Sequence, residues 1–437
     1  MFGYLFHTAW RSLKRNPFLS LLVVVGIGLG IGVSTTFVTA VYRLSMHPIP
    51  EKEDRLFYVR MDSWNPERPW RDALPDDPPD QMTWRDALAV TSGDIPTHQT
   101  FMFVSQLTVH PDEKDMRPFR ASTRVCTNDF FNLFEVPFQY GGPWSNEADA
   151  AAEQVVVLDN ATNAKLFGGE DSVGSRLRIE DREFTVAGVM APWRPIPKYY
   201  DTHNDTFGDP EEIFLPILLS ESMELSSAGN DSNWKNYDRE EYADELASER
   251  IWIQTWVQLD TQRQKDDYAA FLDAYALEQG KLGRFQRPVN NWLQETAVWL
   301  KDQHIVPQEA KTLLIISLLF LVVCSVNLIG ILLGKFLARA PEVGVRRALG
   351  ASRGAIFMQH LLECEIIAAV GGLAGLGLSV LGLWTIEALF SIDLNFKLDL
   401  NMVGAGMLLA LVAGLLAGTY PAWRICRIPP AQYLKAQ

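Results

Sequence analysis

Residues 16–42 read NPFLSLLVVVGIGLGIGVSTTFVTAVY, a run of 27 residues without a charged side chain. A helix needs about 20 apolar residues to cross the ~30 Å hydrocarbon layer of a membrane, so this run is long enough to span it. Three further uncharged runs of similar length follow at 312–334, 366–386 and 400–423. The sequence therefore predicts four transmembrane helices, with the long segment 43–311 between the first span and the second.

Charge is distributed unevenly along the chain. The whole sequence has 39 basic and 53 acidic residues, a formal net charge of −14. Residues 1–42 carry three basic and no acidic residues, whereas 43–311 carry 27 basic and 47 acidic ones, and 312–437 carry nine and six. The acidic excess thus belongs to the segment between the first two spans, which favours a soluble domain and gives no basic surface for nucleic acid.

Lysine and arginine near the spans predict the orientation, because cytoplasmic loops carry the excess of these residues. The segment before span one has three, the 335–365 loop has five, and the 424–437 tail has three. The 387–399 loop has only Lys397. Both termini are therefore expected in the cytoplasm, with 43–311 outside.

The start of the chain predicts an anchor that stays attached, since its apolar run far exceeds the 7–15 residues of a signal-peptide core. Apolar residues in 1–15 recur at three- and four-residue intervals beside Arg11, Lys14 and Arg15, a pattern typical of an amphipathic helix lying in the membrane interface. Such a helix could simply anchor the chain or also dock a cytoplasmic partner.

The 43–311 segment alternates strand-like and helix-like stretches, which predicts a mixed α/β domain, interpreted here as two lobes. Among these stretches, 289–303 is predicted to be a helix and 252–259 a strand with Trp252 and Trp256 on one face. Its one cysteine, Cys126, rules out a disulfide within it. The stretch 199–250 is acidic and rich in Asn and Ser, so we expect a mobile insertion. Asp201, His203, Asp205 and Asp209 fit no calcium or zinc spacing, which favours a solvated acidic loop over a metal site.

Catalytic signatures are missing from the sequence. It contains no Gly-x4-Gly-Lys-Ser/Thr loop for phosphate, no His-Glu-x-x-His pair and no nucleophile elbow. The predicted spans contain no Asp, Glu, Lys, Arg or His, which argues against ion-driven transport. We therefore expect no catalytic, metal or cofactor site, and interpret Asn327 within span two as an interhelical hydrogen-bonding residue.

Small residues at four-residue spacing predict close packing between the spans. The positions are Gly28 and Gly32 in span one, Gly371 and Gly375 in span three, and Gly414 and Gly418 in span four. Spacing alone leaves open whether the partner helix belongs to the same chain or to a neighbouring subunit.

The loop 335–365 predicts a short helix that begins near Pro341 and ends at Gly350. Val345 and Leu349 contribute to an apolar side, and Arg346 and Arg347 to a cationic one. From the residues alone, this is an interfacial element or a docking site for a cytoplasmic partner.

This loop resembles the one between the second and third spans of MacB/FtsX-type ABC transporter permeases, whose recurrent sequence motif is close to E-x-G-[IV]-R-[RK]-A-[LI]-G-A-[SRT]. The matching residues are Glu342, Gly344, Arg346, Arg347, Ala348, Leu349, Gly350 and Ala351. FFNLFEVP, VVVLDNATNAKLFGG, SVGSRLRI and FTVAGVM, in that order within 128–190, resemble the MacB-type periplasmic core domain. Two features depart from the family. MacB has a fused ATPase domain before span one that is not found in this sequence, and 199–250 has no match in the family pattern.

The resemblance implies a permease subunit of the bacterial inner membrane, with 43–311 in the periplasm. It implies a dimer of separate cytoplasmic ATPases that holds ATP-Mg, a second permease subunit, identical or paralogous, and surrounding membrane lipids. Glu342, Val345, Arg346, Arg347 and Leu349 would couple to the ATPase, and the spans would transmit its motion, by mechanotransmission, to the periplasmic domain.

The function expected from this resemblance is export or extraction of a substrate, with a periplasmic adaptor and an outer-membrane channel as further partners. Two alternatives remain open: an FtsX-like regulator of periplasmic cell-wall enzymes, and a permease that extracts lipoproteins.

Overall fold

The computed structural model describes residues 17–45, 49–111, 116–305, 308–390 and 400–427. The interfacial helix predicted for 1–15 lies outside these residues. The chain divides into two compact units: one combines the residues before 46 with those after 305, and the other is Met46–Ile305.

The first unit is helical. Its long helices in the described chain are TM1 (Pro17–Ser45), TM2 (Gln308–Leu337), TM3 (Arg353–Phe390) and TM4 (Leu400–Cys426). All four are long and apolar enough to cross a membrane, so the four predicted spans are confirmed. A shorter helix, which we call the loop helix, occupies Ala340–Ala348 between TM2 and TM3.

TM2 and TM3 extend further towards the loop helix than the uncharged runs predict. TM2 continues through Lys335 to Leu337, and TM3 begins at Arg353, thirteen residues before the predicted start at 366. A helix does not end where its first charge occurs; it ends where its backbone hydrogen bonds end. Ionisable residues therefore do lie within these helices, near their loop-helix ends.

The second unit is built on one mixed sheet, which confirms the predicted α/β domain between the first two spans. The eleven strands among the described residues run in the order β11-β1-β10-β3-β4-β9-β6-β8-β5, with β2 paired to β10 and β7 to β3 and β8. Two pairs are parallel, β4 with β9 and β6 with β8. The described strands form one continuous sheet, and the division of this domain into two lobes stays a prediction.

The bounds of the elements are as follows. The strands are β1 Leu56–Arg60, β2 Met82–Thr83, β3 His98–His110, β4 Phe119–Cys126, β5 Phe138–Gly141, β6 Val155–Leu158, β7 Arg176–Ile179, β8 Arg182–Met190, β9 Ile213–Pro216, β10 Ile251–Gln258 and β11 Trp292–Glu295. The helices are α1 Trp84–Val90, α2 Asp129–Leu133, α3 Asn146–Ala150, α4 Asn160–Phe167, α5 Leu219–Met223, α6 Tyr242–Leu246, α7 Gln262–Lys281 and α8 Thr296–Asp302, with a 3-10 turn at Pro50–Lys52.

Both faces of the sheet carry a hydrophobic core, as the alternation along β1 shows. Phe57 and Val59 pack into one cluster, and Leu56 and Tyr58 into the other. Successive side chains of a strand point to opposite faces, so a strand buried on both sides contributes to two cores. All eight residues of β10 are buried for the same reason.

Two local predictions in this domain are wrong. The sequence pattern predicted a helix over 289–303, but Trp292–Glu295 forms β11, because its backbone pairs antiparallel with β1, and only then does α8 begin. Alternation along β10 placed Trp252 and Trp256 on one face, yet they pack into different clusters. A register irregularity between Ile251 and Ile253, beside β2, accounts for the change of face.

Candidate functional site

The loop helix is a short amphipathic element with defined ends. Pro341 lies in its first turn, where a missing N–H costs nothing, and Glu342 lies there too, where the helix dipole favours an acid. After its last residues the chain turns at Gly350, whose φ of +100° is in the left-handed region that favours glycine. The sequence places the helix correctly because each of these signals is local.

One face of the loop helix packs against the helical unit, and another is exposed. Ala340 and Val343 are buried in a cluster that includes Phe336 of TM2. By contrast, Val345 is 47% exposed and Leu349, at the C-cap, is 84% exposed. Two apolar side chains on the outer face of a helix whose inner face is already packed form a surface suited to a partner.

The polar residues predicted for this site hold the loop helix to its own chain. The Arg346 guanidinium lies 2.7 Å from the Glu342 carboxylate and 3.3 Å from Oε1 of Gln359 in TM3. Arg347 donates a hydrogen bond of 3.2 Å to the carbonyl of Cys426, at the end of TM4. Of the five predicted coupling residues, Val345 and Leu349 therefore present the apolar surface. Arg346 and Arg347 also brace the helix against TM3 and TM4, and Glu342 pairs with Arg346 within the helix.

Sequence reasoning missed a buried ionic cluster next to this helix. Glu363 of TM3 is 1% exposed, and Lys335 Nζ of TM2 lies 2.7 Å from its Oε1. Arg339, the N-cap of the loop helix, lies 3.4 Å from Oε2 of the same carboxylate. Lys335 also donates to Ser20 Oγ of TM1 at 3.4 Å. No local sequence signal identifies this cluster, because Lys335 and Glu363 are brought together only by the extension of TM2 and TM3 past their uncharged runs.

TM1 and TM3 approach closely at glycines. A Cβ added to Gly375 would lie 2.8 Å from the carbonyl oxygen of Gly28, and one added to Gly32 would lie 2.9 Å from Cβ of Leu378. Gly371 likewise faces Ile27. These glycines let the two backbones meet where any side chain would separate them.

TM4 meets TM3 in the same way. A Cβ added to Gly414 would clash with Cβ of Ala368, and one added to Gly418 would lie 2.7 Å from Cβ of Cys364. Asn327 is exposed on the surface of TM2, so its predicted hydrogen bond to another helix stays a prediction. The helical turn directs it away from the packed side, where Leu328 is buried.

The helical unit contains an apolar cavity of about 400 Å³. It is lined by Thr35, Val38, Thr39, Tyr42, Leu318, Met402, Ala405, Gly406 and Leu409. These residues belong to the C-terminal part of TM1 and to the N-terminal parts of TM2 and TM4. An apolar cavity of this size suits a hydrophobic chain.

The Met46–Ile305 domain has its own buried polar network, centred on Arg124 of β4. Arg124 Nη2 lies 2.5 Å from Asp201 Oδ2 and also contacts Glu211. Lys198 Nζ is 3.1 Å from Glu211 Oε1, so two cations face two carboxylates. The expectation of a solvated acidic loop is therefore wrong for Asp201 and Glu211, because Arg124 and Lys198 supply the charges that compensate these buried carboxylates.

The charges in this network shift its pKa values. Burial acts to raise the pKa of Asp201, but Arg124 and Lys198 outweigh it, and the pKa lies below its ordinary value. Burial lowers the pKa of His203, and nearby Asp80 and Asp201 only partly offset it. Among the residues that the structure describes, no group of three His, Cys, Asp or Glu side chains could hold a metal ion.

Comparison with known proteins covers nearly all of the chain. The family model described as MacB-like periplasmic core domain matches residues 20–275, and the one described as FtsX-like permease C-terminal matches 314–430. Macrolide export ATP-binding/permease protein MacB of Escherichia coli (strain K12) is 24% identical over 437 residues, covering 98% of this chain and 59% of the relative. The protein of the same name from Shigella boydii gives the same values. The chain thus spans about three fifths of the length of these relatives.

Two solved structures are also similar. The periplasmic region of MacB from Actinobacillus actinomycetemcomitans has 12% identity and a TM-score of 0.37, covering 58% of this chain and 94% of that one. The extracellular domain of the transporter YknZ from Gram-positive bacteria has 12% identity and a TM-score of 0.34, covering 55% and 99%. The first family model alone matches more than half of the chain. The chain belongs to the MacB/FtsX family of ABC transporter permeases.

Proposed function

We propose that this permease receives ATP-driven motion from a separate cytoplasmic ATPase at its loop helix and transmits it to the domain between TM1 and TM2, driving export or extraction of a substrate. The observation that carries the proposal is the exposed apolar pair Val345 and Leu349 on a helix braced against TM3 and TM4. An ATPase that binds this pair would move the loop helix, which is firmly attached to TM3 and TM4.

The charge pattern supports a bacterial inner-membrane location with both termini in the cytoplasm. Lys335, Arg339, Arg346, Arg347 and Arg353 all lie in or beside the loop helix, and positive residues concentrate on the cytoplasmic side. The Met46–Ile305 domain then lies in the periplasm. Any displacement of TM1 or TM2 reaches it through the chain itself, since it is inserted between these two helices.

A second permease subunit completes the proposed complex, together with an ATPase dimer that holds ATP-Mg. TM2 supports this because only 17% of the residues in its most apolar stretch are buried within this chain, and Asn327 lies on its exposed surface. A polar amide in hydrocarbon gains from a partner across a helix interface. A periplasmic adaptor and an outer-membrane channel would complete an export pathway.

The cavity gives specific support to the lipoprotein-extraction alternative. Its walls are almost entirely apolar, and it opens among three spans, where an acyl chain could leave the lipid layer. Retention of lipoproteins in the inner membrane after loss of this chain would favour extraction. Retention of a soluble or drug-like cargo would favour export instead, and altered cell-wall hydrolysis with no retained cargo would favour the FtsX-like regulatory alternative.

Leu349→Asp tests the docking surface. Leu349 is 84% exposed, so the substitution should leave the fold intact, whereas burying a carboxylate at the interface should cost about 2 kcal/mol or more, a ~30-fold loss of affinity. The matched control is Leu282→Asp, since Leu282 is the C-cap of α7 and 69% exposed. The measurement is ATPase recovery with the purified chain.

The expected outcome is that Leu349→Asp purifies without the ATPase and that Leu282→Asp retains it. Equal ATPase recovery with both variants would contradict the assignment of the loop helix as the docking site.

A further inference from the structure

The Glu363 cluster, comprising Glu363, Lys335, Arg339, His360 and Ser20, lies where three helices and the loop helix meet. Lys335 and Glu363 have side-chain exposures of 0% and 1% and lie 2.7 Å apart. Arg339 reaches the other carboxylate oxygen at 3.4 Å, and His360 Nδ1 lies 3.8 Å from it. One carboxylate on TM3 thus connects to TM2 and, through Lys335, to Ser20 of TM1.

The cluster also lies at the shorter of the two connections to the loop helix. Only Ala338 and Arg339 separate the end of TM2 from the start of the loop helix. The other connection, 349–352, contains Gly350 in the left-handed region. A two-residue joint anchored by its own arginine transmits displacement better than a four-residue turn that contains glycine.

Burial makes these contacts hold together. A buried charge that loses its partner is left uncompensated in a low-dielectric environment, so Lys335 and Glu363 strongly favour moving together. The ring of Phe336 packs on that of His360, with centroids 4.4 Å apart, directly beside the ion pair. The end of TM2 and the first turns of TM3 are therefore joined by both charge and packing.

We propose that Glu363 is a positioning residue for energy coupling: with Lys335 and Arg339 it locks the joint between TM2 and the loop helix to TM3, so that displacement of the loop helix moves TM1, TM2 and TM3 as a unit. This inference rests on the proposed function, since it concerns how the ATPase stroke passes into the spans. It assigns the transmission of ATPase motion into the spans to residues that do not contact the ATPase.

The test uses the full complex, purified from native membrane with the ATPase that accompanies the wild-type chain. Glu363→Gln keeps the shape and removes the charge, and Glu365→Gln, two residues along the same helix, is the matched control. Glu363→Gln should keep the ATPase bound, yet lower permease-stimulated ATP hydrolysis about fivefold or more, the range of a typical coupling energy. Glu365→Gln should hydrolyse ATP like the wild type.

Hydrogen exchange supplies a measurement that a merely structural role would not alter. Adding ATP and vanadate should change amide exchange in both the loop helix and the 353–370 part of TM3 in the wild type, but only in the loop helix of Glu363→Gln. The charge swap Lys335→Glu with Glu363→Lys should restore part of the TM3 response. If amide exchange in TM3 responds in Glu363→Gln as in the wild type, Glu363 does not lock the joint between TM2 and the loop helix to TM3.

A second variant covers the case in which Glu363→Gln fails to insert. The double change Lys335→Met and Glu363→Met removes both members of the buried pair, a type of replacement that proteins often tolerate. It should insert and bind the ATPase but transmit no change to TM3; a wild-type response would overturn the lock. If no ATPase accompanies even the wild-type chain, the proposed function fails and this role fails with it, which separates the two results.

Discussion

Replacing Arg124 by Met should strongly destabilise the Met46–Ile305 domain. The Arg124 side chain is fully buried, contacts Asp201 at 2.5 Å and also contacts Glu211. Lys198 alone would remain against the two carboxylates. Removing one partner of a buried ionic network costs about 3–5 kcal/mol, because a buried charge is left without compensation. For a domain of this size, that loss corresponds to a drop in melting temperature of about 6–20 °C.

The matched control is Arg176→Met. Arg176 also pairs with a carboxylate, Glu183, at 2.9 Å, but its side chain is 77% exposed. An exposed pair contributes about 0–1 kcal/mol, so its loss should shift the melting temperature by at most ~4 °C. The two variants make the same chemical change and differ only in burial.

The assay is thermal unfolding of the full chain in detergent, followed by tryptophan fluorescence. Trp256 and Trp299 are buried in the same domain and will report its unfolding. If Arg124→Met melts within 2 °C of Arg176→Met, the argument from burial is refuted, and the network contributes little to the stability of this domain.

Two further predictions concern pH and helix packing. Burial lowers the pKa of His203 below its ordinary 6.5, so below that pH the unfolded state binds a proton that the native state resists, and the free energy of unfolding falls. His203→Gln should therefore flatten the decline of the melting temperature between pH 7 and 5. An unchanged slope would contradict this. Gly375→Val should destabilise the helical unit by about 1–3 kcal/mol, because its Cβ would lie 2.8 Å from the carbonyl oxygen of Gly28. The control Gly377→Val should be neutral, since a Cβ there has no atom within 4 Å. Equal melting temperatures of the two variants would contradict close packing of TM1 on TM3.

Local signals predicted most of the architecture. Uncharged length alone is enough for the four spans, and Asn160–Phe167 is a helix because Asp159 caps its start and Gly168 ends it in the left-handed region. The loop helix was predictable for the same reason. Its exposed pair, Val345 and Leu349, was among the predicted coupling residues, and whether this pair binds an ATPase stays a prediction.

Non-local contacts account for what sequence reasoning missed. Trp292–Glu295 is a strand only because β1 lies beside it, and Asp201 is buried only because Arg124, 77 residues earlier, meets it. Lys335 and Glu363 looked like ordinary loop charges until the extended helices brought them together. In each case the partner is distant in sequence, so no window of neighbouring residues contains the information.

The most direct test of the central claim is purification of the tagged full chain from its native membrane in mild detergent, followed by mass spectrometry and ATP hydrolysis of the eluate. The account predicts a stoichiometric ATPase whose hydrolysis depends on the intact loop helix and is lost with Leu349→Asp. Recovery of the wild-type chain without any ATPase, or with an ATPase indifferent to Leu349, would contradict it.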